Sequence, residues 1–535
     1  MDSNKELALA QIYARLKKNP GMPPRELERL KMSACSANGL SGVVKNPDIL
    51  EFVEKMEGGI SEDWRRLLKI KDVRSLSGIS NIAIMTVPMP CPGKCIYCPG
   101  GVEAGSPKAY TGKEPAARRA SQNDYDSFRQ VNARLRQFEL IGHVTGKCEV
   151  IVQGGTFNSA PAEYTDKFIK GIYDALNGVP SASIQAAQEL NESAKHRMIG
   201  LTLETRPDYC SPSQISAMLD YGMTRVEIGV QSLSEAVMKK SGRGHTVADV
   251  IGATARLKDS FVKVCYHMMP GLFANPQEDV EDFKRLFTGG DFQPDMLKIY
   301  PTLVMPNTPL YQLWRRGEYK PYDSETAAGV IAECKRFVPE WCRIMRVNRD
   351  IPVNLIADGV EKSNLRELIA IKMRKNGVEC RCIRCREAGI RQLKRGTRVD
   401  WENVRMVRRD YAASGGQEVF LSFEETGIGA LLGFLRLRIP GETRFRPEIA
   451  PNTAGVRELH VYGEQLRVGE KDGSNKLDSM QHGGLGSQLL AEAERVSREE
   501  FGANKLLVIS GVGVRNYYRA LGYARDGIYM GKQLS

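Results

Sequence analysis

A membrane-spanning helix needs about 20 consecutive apolar residues, and no run in this chain of 535 residues approaches that length. Its first residues, MDSNKELALAQIYARLKK, lack the apolar segment of a secretory signal. No internal repeat is visible along the sequence. Membrane insertion and export are therefore not expected, and a reducing cytoplasm is the natural compartment. Twelve cysteines in that compartment are not expected to act as disulfide staples. The length also excludes a single core and calls for about two to four domains.

Thiols and positive charge are both clustered. Cys91, Cys95 and Cys98 fall in MPCPGKCIYCPGG, and Cys380, Cys382 and Cys385 in ECRCIRCRE. The remaining six, Cys35, Cys148, Cys210, Cys265, Cys334 and Cys342, are scattered and read as buried free thiols. Clustered cysteines in a reducing compartment point to metal. Of the net charge of +12, +8 lies between Glu361 and Asp410, where fifteen Lys and Arg face seven Asp and Glu. So lopsided an excess favours a polyanion such as nucleic acid.

Residues 1–75 read as helical, with strong helix formers punctuated by NPGMPP. Basic residues there exceed acidic ones only by fourteen to eleven, so RNA contact is a weaker expectation than helix packing. Six short β-rich runs follow: ISNIAIMTV, CEVIVQ, IGLTLE, RVEIGV, VKVCYH and LKIYPTL. Amphipathic helices separate them; Phe168, Ile172 and Leu176 recur every four residues and predict one buried stripe. Ser211, Pro212 and Gln214 predict a helix start with a capping box, and Thr246 with Asp249 repeats it.

Six strands alternating with helices imply a parallel sheet with right-handed crossovers. Six units fall short of a closed eight-fold barrel, so an α/β fold built on a partial (β/α)6 barrel is expected over residues 76–360. A basic linker is expected at 361–403. Residues 404–535 carry EVFLSF, GALLGFLRLRI, VRELHVYG and KLLVISG as strands. A helix over GLGSQLLAEAERVSREE puts Leu485, Leu489, Ala493 and Val496 on one side. This last region reads as a small α+β domain.

Chemistry in parallel α/β sheets sits in loops after the carboxyl ends of strands. The Cys91–Cys98 loop follows the first strand, and QGGTF, Gln153 to Phe157, follows the second. Three thiolates spaced C-x3-C-x2-C can each bind one iron of a cubane cluster. No fourth cysteine lies nearby, which leaves one iron open to a chelating small molecule; zinc is the structural alternative. Gly93, Gly100 and Gly101 let the backbone wrap closely around an inorganic core. The motif, with Tyr97 before its last cysteine, resembles that of the radical S-adenosylmethionine enzymes. The resemblance implies a [4Fe–4S] cluster on Cys91, Cys95 and Cys98, with S-adenosylmethionine on the open iron. It also implies a 5′-deoxyadenosyl radical that abstracts hydrogen. Gln153, Gly154, Gly155 and Thr156 are similar to the superfamily's loop near the methionine amine.

QHGGLGSQLL, Gln481 to Leu490, puts glycines at a helix entrance, where unpaired N–H groups and the helix dipole favour an anion such as pyrophosphate. RELHVYG before it reads as an edge strand able to hydrogen-bond a pantetheine arm, VISGV as a second strand, and VRNYYRALGY carries Tyr517 and Tyr518 on a short helix. This order resembles the GCN5-related acetyltransferase fold, in which the coenzyme wedges between two splayed strands. A phenol there can hydrogen-bond the coenzyme sulfur, although core packing is the commoner role for either tyrosine.

A radical enzyme joined to an acetyl-CoA-binding domain is a rare pairing. With YTGKEPAARRA, ETRPDYC, EIGVQS, LKIYPTLV, RDIP and GVRNYYRALGY added to CIYCPGG, GGTF and RELHVYG, the chain resembles the Elongator catalytic-subunit family in a stand-alone prokaryotic form. That resemblance implies carboxymethyluridine synthesis at the wobble uridine of tRNA. The adenosyl radical takes hydrogen from the acetyl methyl of acetyl-CoA, the carbon radical adds to carbon five of the uracil, and thioester hydrolysis leaves a carboxymethyl group. Cys91, Cys95 and Cys98 match the family's cluster ligands, and Lys147 its acetyl-CoA contact in the radical domain. Glu458, Leu459, His460, Val461, Gly484, Leu485, Gly486 and Tyr518 match its contacts in the acetyltransferase-like domain. An electron-donor protein is implied as a further partner.

Cys380, Cys382 and Cys385 suit a tetrahedral zinc ion, with no evident fourth ligand. Flanking Arg381, Arg384 and Arg386 are expected to reach tRNA phosphates while the metal fixes their spacing. Two other readings stay open. One is a protein lysine acetyltransferase with a structural iron–sulfur cluster and Glu458 as its candidate base; the other is a non-catalytic RNA-binding scaffold.

Overall fold

The computed structural model describes residues 3–68, 78–141, 143–462 and 484–534. Seven parallel strands in sequential order form the first sheet: β1 (Ser80–Met85), β2 (Lys147–Gln153), β3 (Arg197–Thr205), β4 (Arg225–Gln231), β5 (Lys263–Met268), β6 (Met296–Ile299) and β7 (Arg343–Val347). Parallel neighbours without reversal curve into a partial barrel, as expected. The sheet carries one strand more than the six read from sequence. RIMRV of β7 carries two arginines among three apolar residues, of which Arg346 borders the polar lumen and Arg343 pairs with Glu387.

The helices that cover the outer face follow the sequence signals. Phe168, Ile172 and Leu176 are all buried on the helix Ala162–Asn177. Ser211 Oγ accepts from the Gln214 N–H while the Gln214 side chain accepts from the Ser211 N–H, and Thr246 with Asp249 forms the same box. The six scattered cysteines are buried and free. Four helices, Ser3–Lys18, Pro24–Ala37, Asn46–Glu57 and Glu62–Leu68, form a cluster of their own that packs on Leu140 and Ile141. No helix among the described residues is long and apolar enough to cross a membrane.

The second sheet is mixed, in the order β13–β14–β12–β11–β10–β9–β8. Its strands are β8 (Val404–Ala413), β9 (Gly416–Glu425), β10 (Ala430–Ile439), β11 (Thr453–Val461), β12 (Lys505–Val508), β13 (Ala524–Asp526) and β14 (Tyr529–Gln533). One face is covered by the helix Leu485–Glu499, through the expected stripe Leu485, Leu489, Ala493 and Val496. The other face meets the foot of the barrel. Arg436, Arg438 and Arg457 are fully buried there, against Asp259 and Asp295 of the first sheet's side and Glu418 and Glu458 of their own. Lys258 joins them at 3.4 Å from both Asp295 and Glu418. Between the sheets, Leu365, Ile369, Met373 and Cys382 pack into the barrel core and Ala388 into the core of the second sheet.

Candidate active site

The sequence-derived residues separate into three places. At the carboxyl ends of the barrel strands, Cys91, Cys95 and Cys98 border a cavity together with Gln153, Gly155 and Thr156. Cys91 Sγ lies 3.6 Å from Thr156 Oγ1, the Ala109 N–H donates to Cys98 Sγ at 3.2 Å, and Arg243 Nη1 donates to Cys95 Sγ at 3.3 Å. Donors aimed at sulfur stabilise thiolate and tune a bound cluster.

Several features of this cavity fit an iron–sulfur cluster and its ligand. Among the described residues, groups with ligand atoms all within 4.8 Å of one another occur at Cys380/Cys382/Cys385 and at Glu227/Cys265/His267, and the three loop cysteines do not form such a group. Sulfurs held wider than a single ion needs are suited to separate irons. The Tyr97 hydroxyl, Arg206 Nη1 and Arg243 Nε are buried with no hydrogen-bond partner. Gly154 and Gly155 have φ of +138° and +100°, and a Cβ on Gly154 would stand 2.2 Å from Thr86 Oγ1. Only glycine makes that turn. The Gly154 N–H donates to Glu204 at 3.2 Å, and the Tyr110 hydroxyl donates to the same carboxylate at 3.0 Å.

The second place is the foot of the barrel, about 20 Å away along β2. Lys147 opens that strand. Burial, and then Arg197, pull its ammonium below the ordinary lysine value. Across from it, β11 pairs with β12 only from Thr453 to Val456, while its second half continues to Val461 beside β10. β11 is thus an interior strand over Thr453–Val456 and has an open edge beyond Val456, in the RELHV stretch read from sequence as an edge strand. A bulge at Arg457 marks the change.

The helix Leu485–Glu499 starts beside that open edge, with Gly484 in the left-handed conformation at its cap. A Cβ on Gly486 would lie 3.7 Å from Val461, 4.0 Å from Leu459 and 3.0 Å from the Tyr517 hydroxyl. Leu459, Val461, Gly486 and Tyr517 therefore converge, whereas Gln481, His482 and Gly483 lie outside the described residues. Tyr518 is buried in the core of the second sheet and Tyr517 is 41% exposed.

Charge at this end is fixed by pairing. Burial opposes ionisation of Glu458, but Lys263 and Arg436 outweigh it and hold the carboxyl below the usual range. Arg436 Nε donates to Glu458 at 2.9 Å. His460 is pushed down to about 4, by burial first and by Arg343, Lys263 and Lys147 against the pull of Glu458.

Cys380, Cys382 and Cys385 make the third place, with sulfurs within 4.8 Å of one another. Arg386, expected to reach phosphate, is buried instead. It bridges to Glu424 at 2.8 Å and donates to the carbonyls of Arg381 and Glu340. Arg381 is exposed and paired with Glu340.

Comparison with known proteins agrees with this geometry. Residues 89–287 match the radical SAM superfamily, and residues 294–375 match the Radical_SAM C-terminal domain. The tRNA uridine(34) acetyltransferase of Methanocaldococcus jannaschii is 46% identical over 532 residues, 98% of this chain and 97% of that protein. Elongator complex protein 3 of Homo sapiens is 43% identical over 523 residues, covering 95% and 93%. The chain belongs to the Elongator complex protein 3 family. A solved structure of Methanocaldococcus infernus Elp3, with an N-terminal deletion (1–46), superposes with a TM-score of 0.76 at 46% identity. It covers 86% of this chain and all of that one.

In this family member, sequence reasoning missed the charged lining of the lumen. Glu204 and Arg206 at the carboxyl end of β3, Glu227 and His267 further in, and Arg243, Arg346 and Arg349 all border the cavity. Lys298 forms an ion pair with Glu227 Oε2, and His267 Nε2 lies 2.9 Å from the same oxygen. An ammonium thus holds the cation position of the Glu227/Cys265/His267 group. The positional rule for strand ends would have found Glu204 and Arg206; nothing local marks the rest.

Proposed function

We propose that this chain is a radical SAM tRNA uridine(34) acetyltransferase that converts the wobble uridine to carboxymethyluridine with acetyl-CoA as carbon source, in the cytoplasm. The observation that carries the reading is a cysteine loop at the head of a polar lumen whose foot is covered by an acetyltransferase-like sheet, opened between β11 and β12. The proposed division of labour follows the regions 1–75, 76–360, 361–403 and 404–535.

Cys91, Cys95 and Cys98 would hold the [4Fe–4S] cluster, with Gln153 to Thr156, Arg206 and Arg243 around S-adenosylmethionine. When bound, these groups supply a 5′-deoxyadenosyl radical as hydrogen acceptor. The open backbone of Glu458–Val461 would bond the pantetheine amides, and the N–H groups at Gly484–Gly486 the pyrophosphate. Tyr517 and Tyr518 would flank the arm, with Lys147 near the acyl end. A methyl C–H bond has no useful acidity, so radical activation suits this carbon. Glu458, ionised and engaged by Arg436, is poorly suited to serve as the base of a lysine acetyltransferase. A zinc ion on Cys380, Cys382 and Cys385 would fix the basic segment that faces tRNA, and a separate protein would donate the electron.

Mass spectrometry of nucleosides from tRNA incubated with the reconstituted protein, S-adenosylmethionine, a reductant and acetyl-CoA tests the proposal. Carboxymethyluridine at position 34, carrying label from [2-13C]acetyl-CoA, is expected. Unmodified tRNA alongside acetylated peptide from the same preparation would favour the lysine acetyltransferase.

A further inference from the structure

Between the cysteine loop and β11 lies a layer of charge with no role in the reaction so far. Arg225, the first residue of β4, is 3% exposed. Its Nη1 is 2.5 Å from Glu149 Oε1, and its Nη2 stops 3.7 Å from Glu227 Oε1. Arg225 Nε and Nη2 are buried with no hydrogen-bond partner, and so is Glu227 Oε1. Burying donors unpaired forfeits their hydration without compensation, so each such group calls for a water or a ligand atom.

The surroundings favour a ligand. On one side of this layer, Glu227 and His267 border the cavity that reaches Cys91, Cys95 and Cys98. On the other, Arg225 pairs in register with Lys263 of β5. Lys263 is the foremost charge holding Glu458 ionised, and Glu458 in turn acts on Arg225. Arg225 thus stands between the cavity below the cysteine loop and the open half of β11.

We propose that Arg225 donates to the thioester carbonyl oxygen of the acyl-coenzyme, which enters the lumen from the amino ends of the strands with its methyl turned toward the cysteine loop. This rests on the acetyl-CoA reading above. When the methyl C–H bond breaks homolytically, the hydrogen atom passes with one electron to the 5′-carbon radical and forms its new C–H bond. The other electron stays on the methyl carbon, and its spin is shared with the carbonyl oxygen by conjugation. Because an alkyl radical is nucleophilic and the carbonyl withdraws electrons, the transition state carries partial negative charge at that oxygen. A fixed cationic donor at that oxygen stabilises the product and the transition state before it. A guanidinium suits the task because it stays protonated and Glu149 fixes its plane.

Isotope-edited infrared spectroscopy of the full chain, without reconstitution, mixed with [1-13C]acetyl-CoA is the test. The bound carbonyl band is expected below its position in free coenzyme. It should return to that position in Arg225→Gln and stay lowered in Arg225→Lys. Bound coenzyme with an unshifted band in the wild-type protein overturns the proposal, independently of whether any variant folds. If the wild-type protein binds no coenzyme, the acetyl-CoA reading falls and takes the proposal with it. Glu149→Gln removes the charge but keeps an amide oxygen that can hold the guanidinium plane, so its band should remain lowered; a band restored by that variant overturns the assignment to Arg225. In reconstituted enzyme, deuterium transfer from [2H3]acetyl-CoA into 5′-deoxyadenosine should fall about ten- to a hundredfold in Arg225→Gln, and unchanged transfer overturns the proposal.

Discussion

Arg457 on β11 and Asp295 at the foot of β6 meet across the boundary between the two sheets. Nη1 is 2.9 Å from Oδ1 and Nη2 is 2.5 Å from Oδ2, and neither side chain reaches solvent. Glu418 accepts from the same guanidinium at 2.9 Å, so the pair is one link of the network that seats the second sheet on the barrel. Desolvation makes each charge depend on its partners. The network is thus better understood as fixing orientation than as adding net stability, and it presents the open half of β11 to the lumen.

Removing one member should therefore be costly. Asp295→Asn is expected to lower stability by about 3–5 kcal/mol, read from guanidinium denaturation. Burial opposes ionisation of Asp295, but Arg457, Lys258 and Arg436 outweigh it and hold the carboxyl well below the usual range. Its folded pKa is depressed, so its contribution is complete above the unfolded value of about 4 and disappears as pH falls further. The variant should accordingly lose the acid dependence that the parent shows below about pH 4. Equal acid dependence in both proteins would contradict this account.

Asp279 behaves in the opposite sense. Burial pushes its carboxyl up to about 7, although Tyr322 Oη and the Gly271 N–H donate to it at 2.8 and 2.7 Å. A folded pKa above the unfolded one gives stability that is whole below about pH 4 and lost as pH rises through about 7. Asp279→Asn keeps an acceptor for both donors without the buried charge. It should raise stability at pH 8 by up to about 4 kcal/mol and flatten the decline between pH 4 and 8 in thermal melts. A slope identical to the parent's would refute the assignment.

What could be read from sequence was whatever chemistry or periodicity fixes locally. The cysteine spacing, the caps at Ser211 and Thr246 and the Phe168–Leu176 stripe each depend on residues a few positions apart. The arginines of LRLRI did not disclose their place. Alternation along β10 distinguishes two faces but not which of them another part of the chain will cover, and Arg436 and Arg438 are completely buried. β7 was hidden for a related reason, since Arg346, which lines a polar lumen, and Arg343, which pairs with Glu387, both look in sequence like arginines facing water. Lys147 carries no local signal; the role proposed for it depends on β11, whose His460 its charge reaches.

The basic segment beside the second cysteine group offers a contrast between neighbours. The Arg381 side chain is 71% exposed, whereas that of Arg386 is 6% exposed and bound to Glu424. Arg381→Glu should weaken tRNA binding and reduce its salt dependence by about one counterion without changing the melting temperature. Arg386→Glu should instead lower the melting temperature, because it sets two buried carboxylates against each other. Filter binding across a salt series, with melts in parallel, separates the roles. A normal melt with lost tRNA affinity for Arg386→Glu would restore it to the phosphate track.

Arg243 tests the cysteine loop more finely than the cysteines do. Cys95→Ala should abolish the cluster, which any three-thiolate metal site would also predict. Arg243→Gln leaves all three sulfurs and removes the charged donor 3.3 Å from Cys95. A hydrogen bond to a ligating sulfur withdraws electron density and raises the potential of a cluster, so its loss should lower the midpoint in a spectroelectrochemical titration at unchanged iron content. The Arg243 charge also acts on the Tyr97 phenol, and its Nη2 donates to the Gly229 carbonyl, so iron content and protein folding have to be measured alongside. A variant with full iron and an unmoved midpoint would mean that Arg243 only braces the loop, and that the poise of the cluster is set elsewhere.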